Sequence, residues 1–166
     1  VIDVVVTKGN FYRYQAAVQV IPPNGPFVVI EAYEVDDAAG NGNGKLDYTE
    51  TVALDVTLKN LGTEIAENVS VNISSTDEFI SILDGTEGAG NIAAGESVQL
   101  PGAFTIMAAG NIPDGHLVAF TLEASDADTT WTSSFTIKAF APNLEFAGCT
   151  VSDVNGNNDG RLDPGE

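Results

Sequence analysis

Hydrophobic and polar positions alternate with a period of two along most of this chain. In "TVALDVTLKN" the residues Val52, Leu54, Val56 and Leu58 fall on one side, while Thr51, Ala53, Asp55, Thr57 and Lys59 fall on the other. "NVSVNIS" repeats the pattern with Val69, Val71 and Ile73. "HLVAFTLEAS" does so with Val118, Phe120 and Leu122, and "TWTSSFTIKAF" with Trp131, Ser133, Phe135 and Ile137. Successive side chains of a strand point to opposite faces, so each run predicts a strand with one face on a core. Turn residues separate the runs: Asn60-Leu61-Gly62, Asp84-Gly85, Ala94-Gly95, Pro113-Asp114-Gly115 and Ser125-Asp126. No segment combines a 3.6-residue apolar stripe with helix caps. Short strands at this spacing predict an all-β chain, an antiparallel immunoglobulin-like β-sandwich.

A long-period repeat divides the chain. Shifting it by 116 residues lays Pro26 on Pro142, Val35 on Val151 and Asp37 on Asp153. It also lays Gly40 on Gly156, Asn41 on Asn157, Gly44 on Gly160, Leu46 on Leu162, Asp47 on Asp163 and Glu50 on Glu166. A period of this size is a whole sandwich rather than a solenoid unit. The expected organisation is therefore tandem. Residues 26–141 read as one complete module, and 142–166 as the first strand and loop of a following one. Residues 1–25 read as the last hairpin of a preceding module plus a short stiff linker, "PPNGP". Two strands are marginal alone, so this hairpin is expected to pack on the central module or on a neighbouring chain. The chain thus reads as an excerpt of a longer protein.

Composition narrows the function. Twenty-four acids against six Lys or Arg give a formal charge of −18. Such a surface repels phosphate backbones and anionic lipid, which argues against nucleic acid and membrane-surface partners. No apolar run approaches the roughly 18 residues of a membrane span, and "VIDVVVTKGN" has strand character, not that of a signal peptide. The single cysteine, Cys149, excludes an intrachain disulfide.

The repeated segment carries the candidate chemistry. In "SDVNGNNDGRLDPGE", counting Asn155 as position 1 puts Asn157 at 3, Asp159 at 5, Gly160 at 6, Arg161 at 7, Asp163 at 9 and Glu166 at 12. That is the spacing of an EF-hand calcium loop: oxygen side chains at alternate positions, a glycine for the sharp turn, a backbone carbonyl and a final bidentate carboxylate. The first copy, "DDAAGNGNGKLDYTE", keeps the frame with Asn41, Asn43, Gly44, Asp47 and Glu50, but has Ala39 at position 1. Asp37 or Asp36 fills that gap by a longer approach, and Asp153 plays the same part in the second copy. The expected sites are Asp37, Asn41, Asn43, Asp47 and Glu50 with the Lys45 carbonyl, and Asp153, Asn155, Asn157, Asp159, Asp163 and Glu166 with the Arg161 carbonyl. With few charges, binding of structural Ca2+ at about 10⁻⁴–10⁻³ M is expected, the range of extracellular modules. Glu50 leads into a strand rather than a helix, which suits a structural clip bracing the junction between modules and not a calmodulin-like switch. The alternative is an ordinary turn, since Gly, Asn and Asp are also turn residues.

The order "GNGNGKLDYTETVALDVTLKNLGTEIAENVSVNIS", then "GNIAAGESVQL", "PDGHLVAFTLEA" and "WTSSFTI", resembles the Ig-like modules of gingipain-type peptidases. These are secreted cysteine peptidases and related surface proteins of anaerobic Gram-negative bacteria, with such modules in tandem behind a catalytic domain. The resemblance spans residues 26–166. It implies a sandwich fold, export to the bacterial cell surface or beyond, and a catalytic neighbour, but no catalytic residue in this chain. The expected function is a non-catalytic, calcium-stabilised spacer whose partners are neighbouring modules. An adhesin-like module gripping a host protein or glycan is the alternative, and it requires an exposed apolar patch for which Phe79, Ile80 and Trp131 are candidates. A cysteine peptidase needs a thiolate beside a histidine. Here Cys149 reads as a structural residue on a strand of the truncated module, His116 as a solvated loop histidine, and Trp131 as core.

Overall fold

The computed structural model describes residues 2–19, 21, 23–152, 154–157, 159–162 and 164. Every regular element among them is a strand: β1 (Ile2–Val6), β2 (Tyr14–Val18), β3 (Val28–Asp36), β4 (Leu46–Asp47), β5 (Thr51–Asn60), β6 (Ala66–Ser74), β7 (Ile80–Asp84), β8 (Thr86–Ile92), β9 (Ser97–Ala108), β10 (Leu117–Ser125) and β11 (Thr130–Phe140). β3 to β11 form two sheets, five-stranded in the order β4-β11-β10-β6-β8 and four-stranded in the order β3-β5-β9-β7. The neighbours β3-β5-β9-β7 and β11-β10-β6 match the ABED and CFG sheets of an immunoglobulin-like sandwich.

The alternating runs supply the core from both sides. Val52, Leu54, Val56 and Leu58 of β5, with Phe104 and Ile106 of β9, face Val69, Val71, Val118, Phe120 and Leu122 of the other sheet, and all are buried. Trp131 is core, 6% exposed, as its place in the alternation predicts. Ser133, expected among the inward residues, is only half-buried and works at the seam between sheets, where its Oγ accepts the Ile30 N–H at 3.3 Å. A bulge at Glu31 frees that N–H from the β3–β5 ladder. The same bulge turns Glu31 outward to Lys59 Nζ at 2.7 Å and Ser97 Oγ at 2.6 Å, and these two hydrogen bonds hold its carboxyl below the usual glutamate range. A second bulge in the β5–β9 ladder accommodates Pro101-Gly102, whose Gly102 N–H reaches Asp55 Oδ1 at 2.6 Å.

The flanking pieces lie outside the two sheets of the sandwich. The hairpin around Lys8-Gly9-Asn10 forms, and the residues of its two strands are exposed except for the half-buried Ala16. Beyond Phe140 no described residue is in a strand, and Leu144, Phe146 and Cys149 are exposed. A strand needs a ladder partner. β3 has β5 beside it, whereas among the described residues none forms a ladder with the stretch from Pro142.

Candidate metal-binding loop

The loop from Asp37 to Glu50 lies at the end of the sandwich where β11 leaves it. Its hydrophobic anchor, Leu46, is fully buried. Leu46 and Asp47 form β4, which pairs in parallel with Ala139 and Phe140 at the end of β11. The Tyr48 N–H extends this pairing to the Phe140 carbonyl at 2.8 Å. On the other side the Glu50 carbonyl accepts the Ala108 N–H at 2.9 Å. Lys45 lays its ammonium over the Phe140 ring, 4.7 Å from the centroid, and Lys138 does the same at 5.0 Å. The loop is thus stitched to the last residues of the sandwich.

Within the loop the acids organise backbone. Asp37, only 4% exposed, accepts the Asn43 N–H on Oδ2 at 2.8 Å and the Gly44 N–H on Oδ1 at 3.0 Å. Burial pushes its carboxyl up, but the N–H groups of Gly44, Asn43, Asp37 itself and Gly42 outweigh this and leave it lowered. Gly42 and Gly44 take the left-handed conformation, φ 71° and 72°, that lets two consecutive turns present these N–H groups. Glu50 accepts Asn41 N–H on Oε1 at 3.3 Å and Asp47 N–H on Oε2 at 3.0 Å. A side chain at Gly40 would collide with that Oε1. Asp47 Oδ2 receives the side-chain amides of both Asn41, at 2.6 Å, and Asn43, at 2.8 Å.

The fold therefore brings together Asn41, Asn43, Asp47 and Glu50, while Asp37 is bound to the backbone N–H groups of Asn43 and Gly44. The donor set is all oxygen, the chemistry of a hard cation. Among the described residues no three carboxylate, histidine or cysteine side chains converge on one point. In the second copy Asp159 N–H binds Asn157 Oδ1 at 3.0 Å and Arg161 N–H binds Asp159 Oδ1 at 2.9 Å, with Gly160 at φ 77°. The first copy makes the corresponding bond from Asn43 N–H to Asn41 Oδ1 at 3.1 Å. Asn155 is exposed, and Asp153, Asp163 and Glu166 lie outside the described residues.

No known family profile matches this chain, and no curated protein is similar to it. Among solved structures it is distantly similar to the chaperone–tip adhesin subunit pre-assembly complex of the archaic chaperone–usher Csu pili of Acinetobacter baumannii. That similarity has 19% identity and a TM-score of 0.31 over 58% of this chain, and spans about half, 52%, of the other.

The residues singled out for other roles are also placed. His116 lies in the loop before β10 as expected, but it is half-buried rather than fully solvated: it packs edge-on to Phe79, and its Nε2 lies 2.7 Å from Asp77 Oδ2. Burial raises the Asp77 carboxyl, but the His116 hydrogen bond, the Phe79 N–H and the charge of His116 bring it below the usual range. Cys149 is exposed on the segment after Phe140 and is corrected from a strand position. Phe79 and Ile80 are half-buried against the core and Trp131 is buried, so these three form no exposed patch.

In the sequence Asn60 stands out only as part of a turn. It is fully buried, and its Oδ1 accepts the N–H groups of Phe27 at 3.0 Å and Gly62 at 2.9 Å. Its Nδ2 donates to the carbonyls of Glu64 at 2.8 Å and Ile92 at 2.9 Å. The available signal was the triplet Asn60-Leu61-Gly62 closing a long strand; its tertiary partners carry no mark in the sequence.

Proposed function

We propose that this chain is a non-catalytic, immunoglobulin-like accessory module of a secreted or cell-surface bacterial protein, of the kind that follows the catalytic domain in gingipain-type cysteine peptidases. Its work is to hold the polypeptide at a fixed exit geometry. One observation carries this reading: the repeated acidic loop is hydrogen-bonded, through the β4–β11 pairing and Tyr48 N–H, to the residues by which the chain leaves the sandwich. A loop in that place stiffens the joint to whatever follows Ala141.

Structural calcium is part of the proposal. Asn41, Asn43 and Asp47 already lie within hydrogen-bonding distance of one another, and Glu50 is tied to the same backbone. Together with Asp37 and the Lys45 carbonyl they would hold the ion. Calcium would supply positive charge to oxygens that N–H donors now satisfy, and so lock the loop onto β11. The test is thermal unfolding in about 10 mM calcium and then in chelator, with Glu50→Gln alongside. For a dissociation constant of about 10⁻⁴–10⁻³ M, a ligand that binds only the folded state stabilises it by about 1.4–2.7 kcal/mol under these conditions. The expected outcome is a Tm several degrees higher in calcium, with a smaller rise in Glu50→Gln. Identical melts in calcium and chelator would reduce the loop to a well-formed turn.

A further inference from the structure

Asn-Gly is the dipeptide most open to loss of its side-chain amide, because glycine has no Cβ to shield its backbone nitrogen from the asparagine side chain. The chain holds four such pairs: Asn24-Gly25, Asn41-Gly42, Asn43-Gly44 and Asn155-Gly156. All four asparagines are exposed, so burial keeps none of them from water. Hydrogen bonding does separate them. In the loop the Gly44 N–H is held by Asp37 Oδ1 at 3.0 Å, and the Gly42 N–H faces the same carboxylate. The side-chain amides of Asn41 and Asn43 both donate to Asp47 Oδ2, at 2.6 Å and 2.8 Å. Asn41 Oδ1 in turn accepts the Asn43 N–H at 3.1 Å. Nothing lies within 4 Å of where a Cβ would stand at Gly42 or Gly44, so packing does not hold these turns. Their restraint is the two carboxylates. Among the described residues, the Asn24 and Asn155 side chains and the Gly25 and Gly156 N–H groups have no such partner.

We propose that the Asp37–Glu50 loop is a guarded deamidation site: Asp37 and Asp47 keep Asn41 and Asn43 as amides while the loop is closed, and opening it converts them to carboxylates. The chemistry needs only water. The glycine nitrogen gives its proton to solvent and attacks Cγ of the preceding asparagine. The new N–Cγ bond forms, Cγ–Nδ2 breaks, and the amide takes a proton from solvent and leaves as ammonia. Water then opens the succinimide at either carbonyl, leaving Asp or isoAsp. One water is consumed, one ammonia is released, and nothing is oxidised or reduced. Attack requires the side chain to swing Cγ over the glycine nitrogen. With Nδ2 anchored on Asp47 and the glycine N–H turned to Asp37, that swing must break both restraints. A carboxylate, which titrates at about pH 4, is too weak a base to take the proton of a peptide nitrogen. The repeat gives the conversion a consequence. Asn43 aligns with Asp159, so its conversion to Asp gives the first loop a carboxylate that the second already carries. IsoAsp instead lengthens the backbone by one methylene group and shifts the alternation on which the ligand spacing rests. The loop thereby records, irreversibly, that it has opened, and this holds without calcium.

The test incubates the full chain in chelator at neutral pH, folded and in urea. Each Asn-Gly pair is followed by peptide mass spectrometry that separates Asn, Asp and isoAsp. Chelator takes calcium out of the comparison, so the outcome is independent of the calcium melts. Asn24 and Asn155 are expected to convert in the folded chain at their rate in urea. Asn41 and Asn43 are expected to convert at least about tenfold more slowly when folded, the factor that about 1.4 kcal/mol of loop opening gives. Urea is expected to erase that difference. Asp37→Ala frees the glycine N–H groups and Asp47→Ala frees the side-chain amides. Each is expected to raise conversion at Asn41 and Asn43 and to leave Asn24 and Asn155 unchanged. Amide exchange over β5 and β9 checks that the sandwich of each variant is intact, and the comparison of the original chain with and without urea stands in either case. Asn41 and Asn43 converting as fast as Asn24 in the folded chain overturns the proposal. So does slower conversion in Asp37→Ala, which would make that carboxylate a base rather than a restraint.

Discussion

Four residues show how single positions are decided by different forces. Asn60 spends all of its side-chain amide on backbone groups of Phe27, Gly62, Glu64 and Ile92 inside the protein. Asn60→Ala leaves two donors and two acceptors unpaired, the Gly62 N–H and the Ile92 carbonyl in buried bonds and the other two in part-buried ones, at about 1–3 kcal/mol per buried unsatisfied group before relaxation. The expected net loss is about 3–5 kcal/mol, read as a lower denaturant midpoint with an unchanged slope. Thr49 is strained: a β-branched residue at φ 61°, where the repeat has Gly165. Relieving a left-handed conformation is worth about 1–2 kcal/mol, so Thr49→Gly is expected to raise Tm, discounted by the extra freedom of glycine in the unfolded chain. A fall in Tm would mean that Thr49 is held by packing that outweighs its strain. Asp77 and Asp37 share a pH signature. Both carboxyls are lowered in the folded state, so their contribution is present above the ordinary carboxylate range, about pH 4, and is lost as pH falls below it through the folded-state values. Asp77→Asn is expected to lower Tm at pH 7 and to flatten its decline below about pH 4, measured by melts across a pH series.

At the scale of elements, alternation is a direct readout of burial. β5, β6 and β10 are legible because each faces the core on one side and solvent on the other, and a one-residue slip would invert every side chain. β4 is not legible, being two residues whose only reason to pair is the end of β11. The bulges at Glu31 and at Pro101-Gly102 are likewise settled by partners: Lys59, Ser97, Ser133 and Asp55. The turn at Gly62 clamps the entering chain in the way that β4 clamps the leaving one. Leu61 N–H binds the Phe27 carbonyl at 2.8 Å and Thr63 N–H binds the Gly25 carbonyl at 2.9 Å. A methyl group at Gly62 would collide with Gly25, Pro26 and Phe27. Gly62→Ala is therefore expected to release the strap from Pro23 to Phe27, seen as faster proteolysis there before any cleavage in β5 or β9. Unchanged proteolysis would show that the entry is held by other contacts.

Across the whole molecule, charge and core act against each other. A formal charge of −18 destabilises a compact state through self-repulsion. Raising salt from about 0.01 M to about 1 M shortens the screening length from about 30 Å to about 3 Å. Tm is expected to rise with sodium chloride, before any specific effect of calcium is counted. A Tm that falls with salt would mean that the few ion pairs, such as Lys59–Glu31 at 2.7 Å, matter more than the net repulsion.

The sequence by itself determined the fold class, the core residues and the loop that repeats. These follow from local alternation, turn residues and spacing, which a chain carries wherever it sits. Only the tertiary structure decided that the loop is sewn to the end of β11, that Asp37 caps backbone from a buried position, that His116 is tied to Asp77, and that Asn60 links four separate backbone groups. The β4–β11 pairing, the His116–Asp77 contact and the Asn60 bonds to Phe27 and Ile92 join residues far apart in sequence. Their energy comes from desolvation and from hydrogen bonds whose partners exist only once the two sheets have closed.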